Sequence, residues 1–507
     1  MSGDYMERAT TNLVGAAYWR GRADEIQFEG RCLIDGKMVE AQSGYTFDCV
    51  SPVDGRVLTK VSAGGEADVN RAVAAARSAF RDRRWSGQSP VSRKRALQAF
   101  AALIRMHRDE LALLETLDMG KPISASRSVD VEAVASCFEW YAEAIDKLYE
   151  QIAPTAKTDL ALITREPLGV VGAIVPWNFP MLTAAWKTAP ALAAGNSVVL
   201  KPAEQSPLTA IRLAQLALEA GVPEGVFNVV PGLGGSAGKA LACHMDVDGI
   251  FFTGSTATGR LLTEYAAKSN LKRVCLELGG KSPNIILASY GDIEKAAVAS
   301  AESMFNNQGE VCIAPSRLIV ERSIHKQVVE IVAEVAKRRQ PGHPLDPTTR
   351  MGALVDANHA DRVMGFIGRA KSDGATLVAG GTRALTETGG SYVVPTVFDN
   401  VSNCMEIARE EVFGPVLSVL PVADIGEAVA VANDSPYGLG AGVWTDRLSD
   451  AHKISRELRA GVVYVNCYND CDITTPFGGV KQSGNGRDKS LYALDEYTEL
   501  KTTWIKL

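Results

Sequence analysis

Three side chains stand in sequence contexts that suit catalysis, although they lie far apart along the chain. Cys312, in NQGEVC, has polar neighbours in a predicted loop-to-helix setting, where a helix N-terminus would lower the pKa of its thiol. Glu277, in LELGGK, is a carboxylate between apolar residues at a strand end, which raises a carboxyl pKa toward that of a general base. Asn178, in VPWNFP, follows an apolar strand and could donate to a developing oxyanion. Taken singly, each has an ordinary structural explanation as an inert thiol, a solvated glutamate or a turn residue.

A charged pair follows the predicted strand at 197–200. Lys201 and Glu204 would lie at the carboxyl end of that strand, where doubly wound sheets bind ligands. The lysine can donate to a ribose hydroxyl, and the glutamate can accept from one. A carboxylate there would repel a 2′-phosphate, which favours NAD over NADP. An exposed ion pair is the alternative interpretation.

Two glycine-rich segments match well-known patterns. Residues 254–259, GSTATG, have the glycine spacing of a P-loop, but Arg260 and Leu261 follow where Lys and Ser or Thr are required. What remains is a strand, a turn and a helix start that could hold a phosphate. Residues 234–238, GGSAG, match a nucleophile elbow, so a serine hydrolase that uses Ser236 is an alternative function. Because Pro231 and Gly232 loosen that turn, we favour a simple βα turn.

These residues are carried by elements that hydrophobic periodicity predicts. The first third is largely helical, and short β-rich runs then alternate with helices, which predicts a parallel, doubly wound sheet. A second α/β region begins near Pro283, and the cleft between two such lobes is a common place for chemistry. We expect a loop or hairpin at 380–391. The predicted helices are 66–81, 95–117, 131–149, 209–220, 324–337, 425–432 and 448–458, and the predicted strands are 170–175, 197–200, 226–230, 250–252, 317–320, 416–420 and 462–465.

Composition excludes several function classes. The chain has 507 residues, a formal net charge of −6 and no basic run, which argues against binding nucleic acid. Its most apolar stretches are shorter than the ~20 residues of a membrane helix, so no membrane association is expected. Nine cysteines without a CxxC pair indicate neither a disulfide framework nor a metal site. The segment 1–22 lacks the apolar core of a signal peptide, so we expect an uncleaved, cytoplasmic protein.

Seven motifs in a fixed order favour a functional interpretation of these residues over a structural one. VPWNFP, KPAEQSP, FTGST, LELGGKSP, NQGEVC, EEVFGP and PFGGVKQSG together resemble the aldehyde dehydrogenase superfamily over essentially the whole chain. The resemblance implies oxidation of an aldehyde to a carboxylic acid, with Cys312 as nucleophile, Glu277 as general base and Asn178 as oxyanion donor. A non-catalytic dinucleotide-binding protein that kept the fold is a further alternative, against which the three intact catalytic groups argue.

The resemblance also implies a fold and its partners. It implies an α/β protein with a Rossmann-like NAD-binding domain at 1–150 and 167–279 and an α/β catalytic domain at 280–478. A small β oligomerisation arm and tail at 151–166 and 479–507 would join a homodimer or homotetramer, with 152–165 pairing with the tail of a partner subunit. The implied cofactor is NAD, with NADP less favoured, and its contacts would be Trp177, Lys201, Glu204, Gly234, Gly254, Ser255, Gly259, Gly279, Glu411 and Phe413.

Within the superfamily, LETLDMGKP, WYAEAIDKLY and the C-terminal KQSGNGRDKSLYALDEYTELKTTWIKL resemble bacterial dehydrogenases for γ-glutamylaminobutyraldehyde or guanidinobutyraldehyde. Asp470 or Asp472 could attract a cationic tail near the tunnel mouth, or both could be solvated loop charges. Cys467 or Cys471 could also pair with Cys312 under oxidation. The residues expected to line the aldehyde tunnel are Phe179, Leu182, Trp186, Val311, Ile313, Cys471 and Phe477.

Overall fold

The computed structural model describes residues 15–507. Most of the N-terminal segment discussed above, residues 1–14, lies outside the described residues. Among the residues described, no helix is both long and apolar enough to cross a membrane.

The described chain alternates between helices and strands. In chain order the strands are β1 Cys32–Ile34, β2 Lys37–Val39, β3 Thr46–Val50, β4 Val57–Ser62, β5 Gln151–Ala153, β6 Asp159–Pro167, β7 Val170–Ile174, β8 Ser197–Lys201, β9 Phe227–Val229, β10 Gly249–Gly254, β11 Arg273–Leu278, β12 Pro283–Ile286, β13 Arg317–Glu321, β14 Thr376–Ala379, β15 Arg383–Ala384, β16 Tyr392–Val393, β17 Thr396–Asp399, β18 Val416–Val422, β19 Gly440–Trp444, β20 Val462–Val465 and β21 Thr498–Lys506. The α-helices are Ala16–Glu25, Glu66–Arg81, Pro90–Met106, Arg108–Met119, Ile123–Ala125, Val131–Ala144, Pro180–Ala194, Leu208–Glu219, Lys239–Cys243, Thr256–Ala267, Ile293–Phe305, His325–Arg338, Ala357–Ser372, Glu406–Arg409, Ile425–Asn433, Leu448–Glu457 and Tyr492–Glu496.

The first large sheet has the order β11-β10-β7-β8-β9-β1-β2. Strands β11 to β9 are parallel, and the antiparallel β1–β2 hairpin extends one edge. Strands β7 and β8 are buried along their whole length, as expected for parallel strands covered on both faces. The predicted doubly wound sheet is confirmed, but the helix predicted at 95–117 is two helices that meet at His107.

The second large sheet has the order β14-β17-β18-β13-β12-β19-β20, and only β14 runs antiparallel to its neighbour. Buried apolar side chains from the flanking helices cover both faces of each sheet and form four large cores. The hairpin predicted at 380–391 is present as the paired strands β15 and β16. The described chain therefore contains two α/β lobes, each built around one of the two large sheets.

A third sheet, β21-β6-β5, is antiparallel. The resemblance implied that residues 152–165 pair with the tail of a partner subunit, and this expectation was wrong. Strand β6 pairs with β21 of the same chain over nine residue pairs, from Pro167 with Thr498 to Asp159 with Lys506. A single chain can satisfy the backbone hydrogen bonds of both strands, so no partner is needed for this pairing.

Helix Pro180–Ala194 positions the segment that carries Asn178. Pro180 occupies the first helical turn, where its missing N–H is not needed. The helix ends at Gly195, whose φ of 95° is left-handed and favours glycine. Nearly every side chain of this helix is buried, so the loop before it is held firmly at the carboxyl end of β7.

Candidate active site

Cys312 lies in a turn between the lobes, shortly before β13. The expected helix N-terminus is absent there: the short helical turn Asn306–Gly309 ends before the cysteine. Burial raises the pKa of the Cys312 thiol, and the Glu277 and Glu411 carboxylates raise it further. The N–H groups of Ile313 and Cys312 offset this effect only in part. The prediction of a lowered thiol pKa was therefore wrong, and a neighbouring base is needed to take the thiol proton.

Asn178 is fastened to the loop that carries Cys312. Its Nδ2 donates to the carbonyl of Glu310 at 2.8 Å, and Asn307 Nδ2 donates to the carbonyl of Asn178 at 3.0 Å. Asn307 and Gln308 adopt left-handed φ angles of 45° and 58°, a conformation that costs energy for non-glycine residues and often occurs at functional sites. A side-chain amide carries two N–H groups, and in the described part of the chain only one N–H of Asn178 is bonded, so the other is available to a ligand.

Glu277 sits near the end of β11 and is only 3% exposed. Within residues 15–507 its Oε1 has no hydrogen-bond partner, and a Cβ on Gly478 would collide with that oxygen. Burial, followed by the charge of Asp488, raises the pKa of Glu277 well above its usual range. A buried carboxyl group with a raised pKa is suited to accept a proton near neutral pH.

The sequence did not indicate the two charged residues that lie beside Glu277. Lys187 Nζ and Asp488 Oδ2 form a buried ion pair at 2.5 Å, and both charges act on Glu277. Lys187 is a lysine in an apolar helix and Asp488 lies in a polar C-terminal stretch, 301 residues away. No local pattern links them, although a lysine within an otherwise apolar helix is a weak signal of a buried role.

The predicted dinucleotide contacts cluster at the carboxyl edge of the first sheet. Lys201 is buried, with its Nζ 3.3 Å from Glu204 Oε2, and Glu204 Oε1 accepts a hydrogen bond from the N–H of Gly234. One carboxylate thus connects the ends of β8 and β9. This arrangement presents a carboxylate and an ammonium together, which fits the hydroxyl groups of a ribose.

The turn after β10 provides a helix N-terminus at the same edge. Ser255 caps helix Thr256–Ala267, and its Oγ accepts from the N–H of Thr258 at 3.2 Å. Gly259 packs against Leu278, where a Cβ would meet the leucine side chain at 2.8 Å. The exposed N–H groups at this helix start suit a phosphate, so Gly254, Ser255 and Gly259 lie where a pyrophosphate would fit.

The second lobe contributes Glu411 and Phe413 to this edge. Glu411 Oε1 accepts from the N–H of Gly280 at 3.0 Å, and a Cβ on Gly279 would collide with its carboxylate. Burial raises the pKa of Glu411 to about 7. Phe413 meets Trp177 edge to face at 5.2 Å, so the predicted cofactor residues from both lobes converge.

Most of the predicted tunnel residues belong to one apolar cluster that also includes Cys312. The members are Phe179, Trp186, Val311, Ile313 and Phe477. Leu182 packs in the adjoining core, which Trp186 also contacts, whereas Cys471 is exposed and belongs to neither. The rings of Trp186 and Phe477 lie 5.3 Å apart. Asp470 and Asp472 are exposed on the same loop as Cys471.

Ser236 lacks the surroundings of a hydrolase nucleophile. It is exposed in the helical turn Gly234–Gly238, and no histidine or carboxylate among residues 15–507 hydrogen-bonds to its hydroxyl. The neighbouring N–H of Gly234 is instead bonded to Glu204. A serine nucleophile needs an adjacent base, so the hydrolase alternative has no structural support.

The fold and this arrangement agree with the comparisons to known proteins. The aldehyde dehydrogenase family model matches residues 38–503. The NADP/NAD-dependent aldehyde dehydrogenase PuuC of Escherichia coli strain K12 is 52% identical over 98% of this chain and 99% of its own length. The protein described here belongs to the aldehyde dehydrogenase family and is an oxidoreductase that acts on aldehydes.

Two solved structures extend the comparison. The γ-glutamyl-γ-aminobutyraldehyde dehydrogenase of Burkholderia cenocepacia J2315 is 58% identical, covers 97% of this chain and 100% of its own, and has a TM-score of 0.96. The indole-3-acetaldehyde dehydrogenase AldA of P. syringae, described in complex with NAD+ and IAA, is 57% identical over 98% and 100% of the two chains, with a TM-score of 0.97. The predicted family and fold class are thus confirmed.

Proposed function

We propose that this protein oxidises an aldehyde with an amino-, guanidino- or γ-glutamylamino-butyl skeleton to the carboxylic acid, with NAD as the cofactor. The observation that carries the proposal is the convergence of Cys312, Asn178 and Glu277 between the two lobes. Asn178 is bonded to the loop of Cys312, and Glu277 is close enough to raise the pKa of that thiol.

In the first step, the thiol of Cys312 passes its proton to a base and the sulfur attacks the aldehyde carbon. Glu277 is a nearby carboxylate that can take this proton. The carbonyl oxygen becomes an oxyanion, which the free N–H of Asn178 and the backbone N–H of Cys312 stabilise. The product is a thiohemiacetal on Cys312.

Oxidation follows while the apolar cluster excludes water. NAD, when bound, supplies the hydride acceptor. Loss of the hydride from the former aldehyde carbon leaves a thioester on Cys312. After the proton from Cys312 has passed from Glu277 to solvent, the ionised Glu277 removes a proton from the water that attacks the thioester carbon. The carboxylic acid leaves, and the sulfur of Cys312 takes up a proton.

The residues at the edge of the first sheet support the choice of dinucleotide. Lys201 and Glu204 offer a donor and an acceptor to a ribose, and the Glu204 carboxylate disfavours a 2′-phosphate. Ser255 and the following N–H groups fit the pyrophosphate, and Glu411 faces this edge from the other lobe. Two similar structures are described as NAD+ complexes.

The substrate assignment has separate support. The C-terminal sequence resembles that of enzymes of putrescine and agmatine breakdown, and a neighbour at 58% identity is named for γ-glutamyl-γ-aminobutyraldehyde. A further relative, at 47% identity, is named an aminoacetaldehyde dehydrogenase of Pseudomonas aeruginosa. These names share an aldehyde that carries nitrogen on a short aliphatic chain.

We further propose that the sheet β21-β6-β5 joins copies of this chain in a homodimer or homotetramer. Leu500, Trp504, Ile505 and Ile152 of this sheet are exposed large apolar side chains. By the strand register, Leu500 and Trp504 lie on one face of the sheet and Ile152 and Ile505 on the other, so each face offers apolar side chains to a second copy. Light scattering on the purified protein checks this proposal, and a monomer would contradict it. The cytoplasmic location and the domain boundaries stay predictions.

The decisive test is NADH absorbance with purified protein, NAD and a panel of aldehydes. The panel contains γ-glutamylaminobutyraldehyde, guanidinobutyraldehyde, aminobutyraldehyde, betaine aldehyde and simple aliphatic aldehydes. A preference for one of the first three supports the proposal, and uniform activity leaves the dehydrogenase but removes the substrate assignment.

A second test changes the nucleophile. Cys312→Ala is expected to lower kcat by at least about 10⁴-fold, because no other group forms the thioester. Full activity in that variant would overturn the assignment of the nucleophile.

A further inference from the structure

Lys489 is a charged side chain that lies against two of the predicted tunnel residues, and the mechanism does not use it. The residue is only 3% exposed. Its Nζ lies 5.6 Å from the ring centroid of Trp186 and 5.7 Å from that of Phe477, so the ammonium and the two rings form a triangle. Both rings belong to the apolar cluster that includes Cys312.

The ammonium of Lys489 has no partner among residues 15–507. It takes part in no ion pair or hydrogen bond there, in contrast to Lys187, which is paired with Asp488. Within the same residues the Nζ of Lys281 is also unpartnered but has no contact with solvent, whereas the Nζ of Lys489 keeps some solvent-accessible surface. The side chain is therefore buried along its length, and its charged tip reaches solvent-accessible space beside the two rings.

An unpaired cation in such a place is costly unless something offsets it. The faces of Trp186 and Phe477 offset part of the cost through cation–π attraction, which holds the ammonium at the tunnel wall. The buried Asp488 and the exposed Asp472 both feel its charge, but Asp488 already binds Lys187 and Asp472 lies in the exposed loop with Cys471. The ammonium thus retains the capacity to bind an anionic group that enters the tunnel.

We propose that Lys489 is a specificity-determining residue that selects aldehydes whose tail carries a carboxylate over aldehydes whose tail is only cationic. This inference rests on the proposed function and narrows it to a γ-glutamylamino-type tail. The carboxylate of such a tail would pair with Lys489. The exposed Asp470 and Asp472 would accept its ammonium group, while a guanidinium or free ammonium tail would meet like charge at Lys489.

The test compares kcat/KM for aldehydes that differ in tail charge. The substrates are γ-glutamylaminobutyraldehyde and glutaric semialdehyde, which carry a carboxylate, pentanal, which is uncharged, and guanidinobutyraldehyde, which is cationic. Lys489→Met keeps the apolar stem and removes the charge. We expect it to lower kcat/KM for the two carboxylate substrates by about tenfold, mainly through KM, and to raise that for guanidinobutyraldehyde several-fold. The kcat/KM for pentanal should change less than twofold in this variant.

Two further variants keep the test informative. Lys489→Arg retains the charge and should rank the four substrates by kcat/KM as wild type does. It is the variant to measure if Lys489→Met does not fold. If Lys489→Met does not fold, the inference requires that wild type has a higher kcat/KM for the carboxylate substrates than for guanidinobutyraldehyde. The same preference must be found in Lys489→Arg. Lys453→Met removes an exposed lysine on helix Leu448–Glu457 and should change none of the four values.

The remaining outcomes separate the two proposals. Equal losses on all four substrates in Lys489→Met would make Lys489 a structural residue and overturn the inference. No change on any substrate would overturn it as well. A wild-type enzyme with similar kcat/KM for all four aldehydes would overturn this inference but leave the assignment as a dehydrogenase. A wild-type enzyme that is inactive on all four would overturn the proposed function itself.

Discussion

The two sides of Cys312 are built in different ways. On the side of the first sheet, the candidate cofactor residues are backbone turns and paired charges, such as Lys201 with Glu204 and Glu411 with the N–H of Gly280. On the other side, the predicted tunnel residues are packed rings and aliphatic groups, and Lys489, which has no ion-pair partner among residues 15–507, lies against two of the rings. We therefore expect the first side to bind the cofactor and the second side to determine which aldehyde fits. The variants below test this division, from the largest expected effect to the smallest.

Glu277→Gln removes the base at the junction of the two sides. We expect kcat to fall by about 10²–10⁴-fold with every aldehyde, because deacylation needs a proton acceptor. Glu277 accepts a proton only when ionised, and its pKa is raised, so wild-type kcat should decline as the pH falls through that raised pKa. The variant should lack this acid limb. Stopped-flow and steady-state rates from pH 5 to 9 check both points, and an unchanged kcat would assign the base elsewhere.

Asn178→Ala removes a donor to the oxyanion. We expect a fall of about 10²–10³-fold in kcat, with little change in the Kd for NAD, because the amide acts mainly in the transition state. Asn358→Ala, which changes an exposed asparagine on helix Ala357–Ser372, is the matched control. A variant that loses NAD affinity but keeps its kcat would instead give Asn178 a structural role.

Glu204→Gln changes only the cofactor side. We expect the KM for NAD to rise about tenfold and NADP to become relatively better, because the charge that repels a 2′-phosphate is gone. The relative kcat/KM values of different aldehydes should stay the same. Glu387→Gln, at an exposed position far along the chain, is the control. An altered order of aldehydes would break the division between the two sides.

Cys471→Ser should have the smallest effect. Cys471 is exposed and lies outside the apolar cluster, so kcat/KM for each aldehyde should change less than twofold. Counting free thiols after peroxide treatment also tests whether Cys467 or Cys471 pairs with Cys312. A large loss of aldehyde affinity would place Cys471 in the tunnel and extend the substrate side to the exposed loop.

Local patterns predicted most of the elements and few of their exact ends. Alternation of apolar strands and amphipathic helices was enough for both lobes, because each strand carries its own signal. The helix predicted at 95–117 was interrupted at His107, and β6 paired with β21 of its own chain rather than with that of a partner. The second difference depends on pairing between two segments that are far apart in the chain, which a local pattern does not describe.

The sequence by itself determined the reactive groups: a cysteine, a carboxylate, an amide and a charged pair, each inside a short motif. Only the tertiary structure decided their ionisation and neighbours. Burial raises the pKa of the Cys312 thiol where the sequence suggested a decrease, and the Lys187–Asp488 pair joins segments 301 residues apart. Nothing in the sequence around Lys489 distinguishes it from a surface lysine, and only the tertiary structure shows that it lies against two aromatic rings. Desolvation and Coulomb interactions depend on distances in space, and those are fixed only when the lobes pack together.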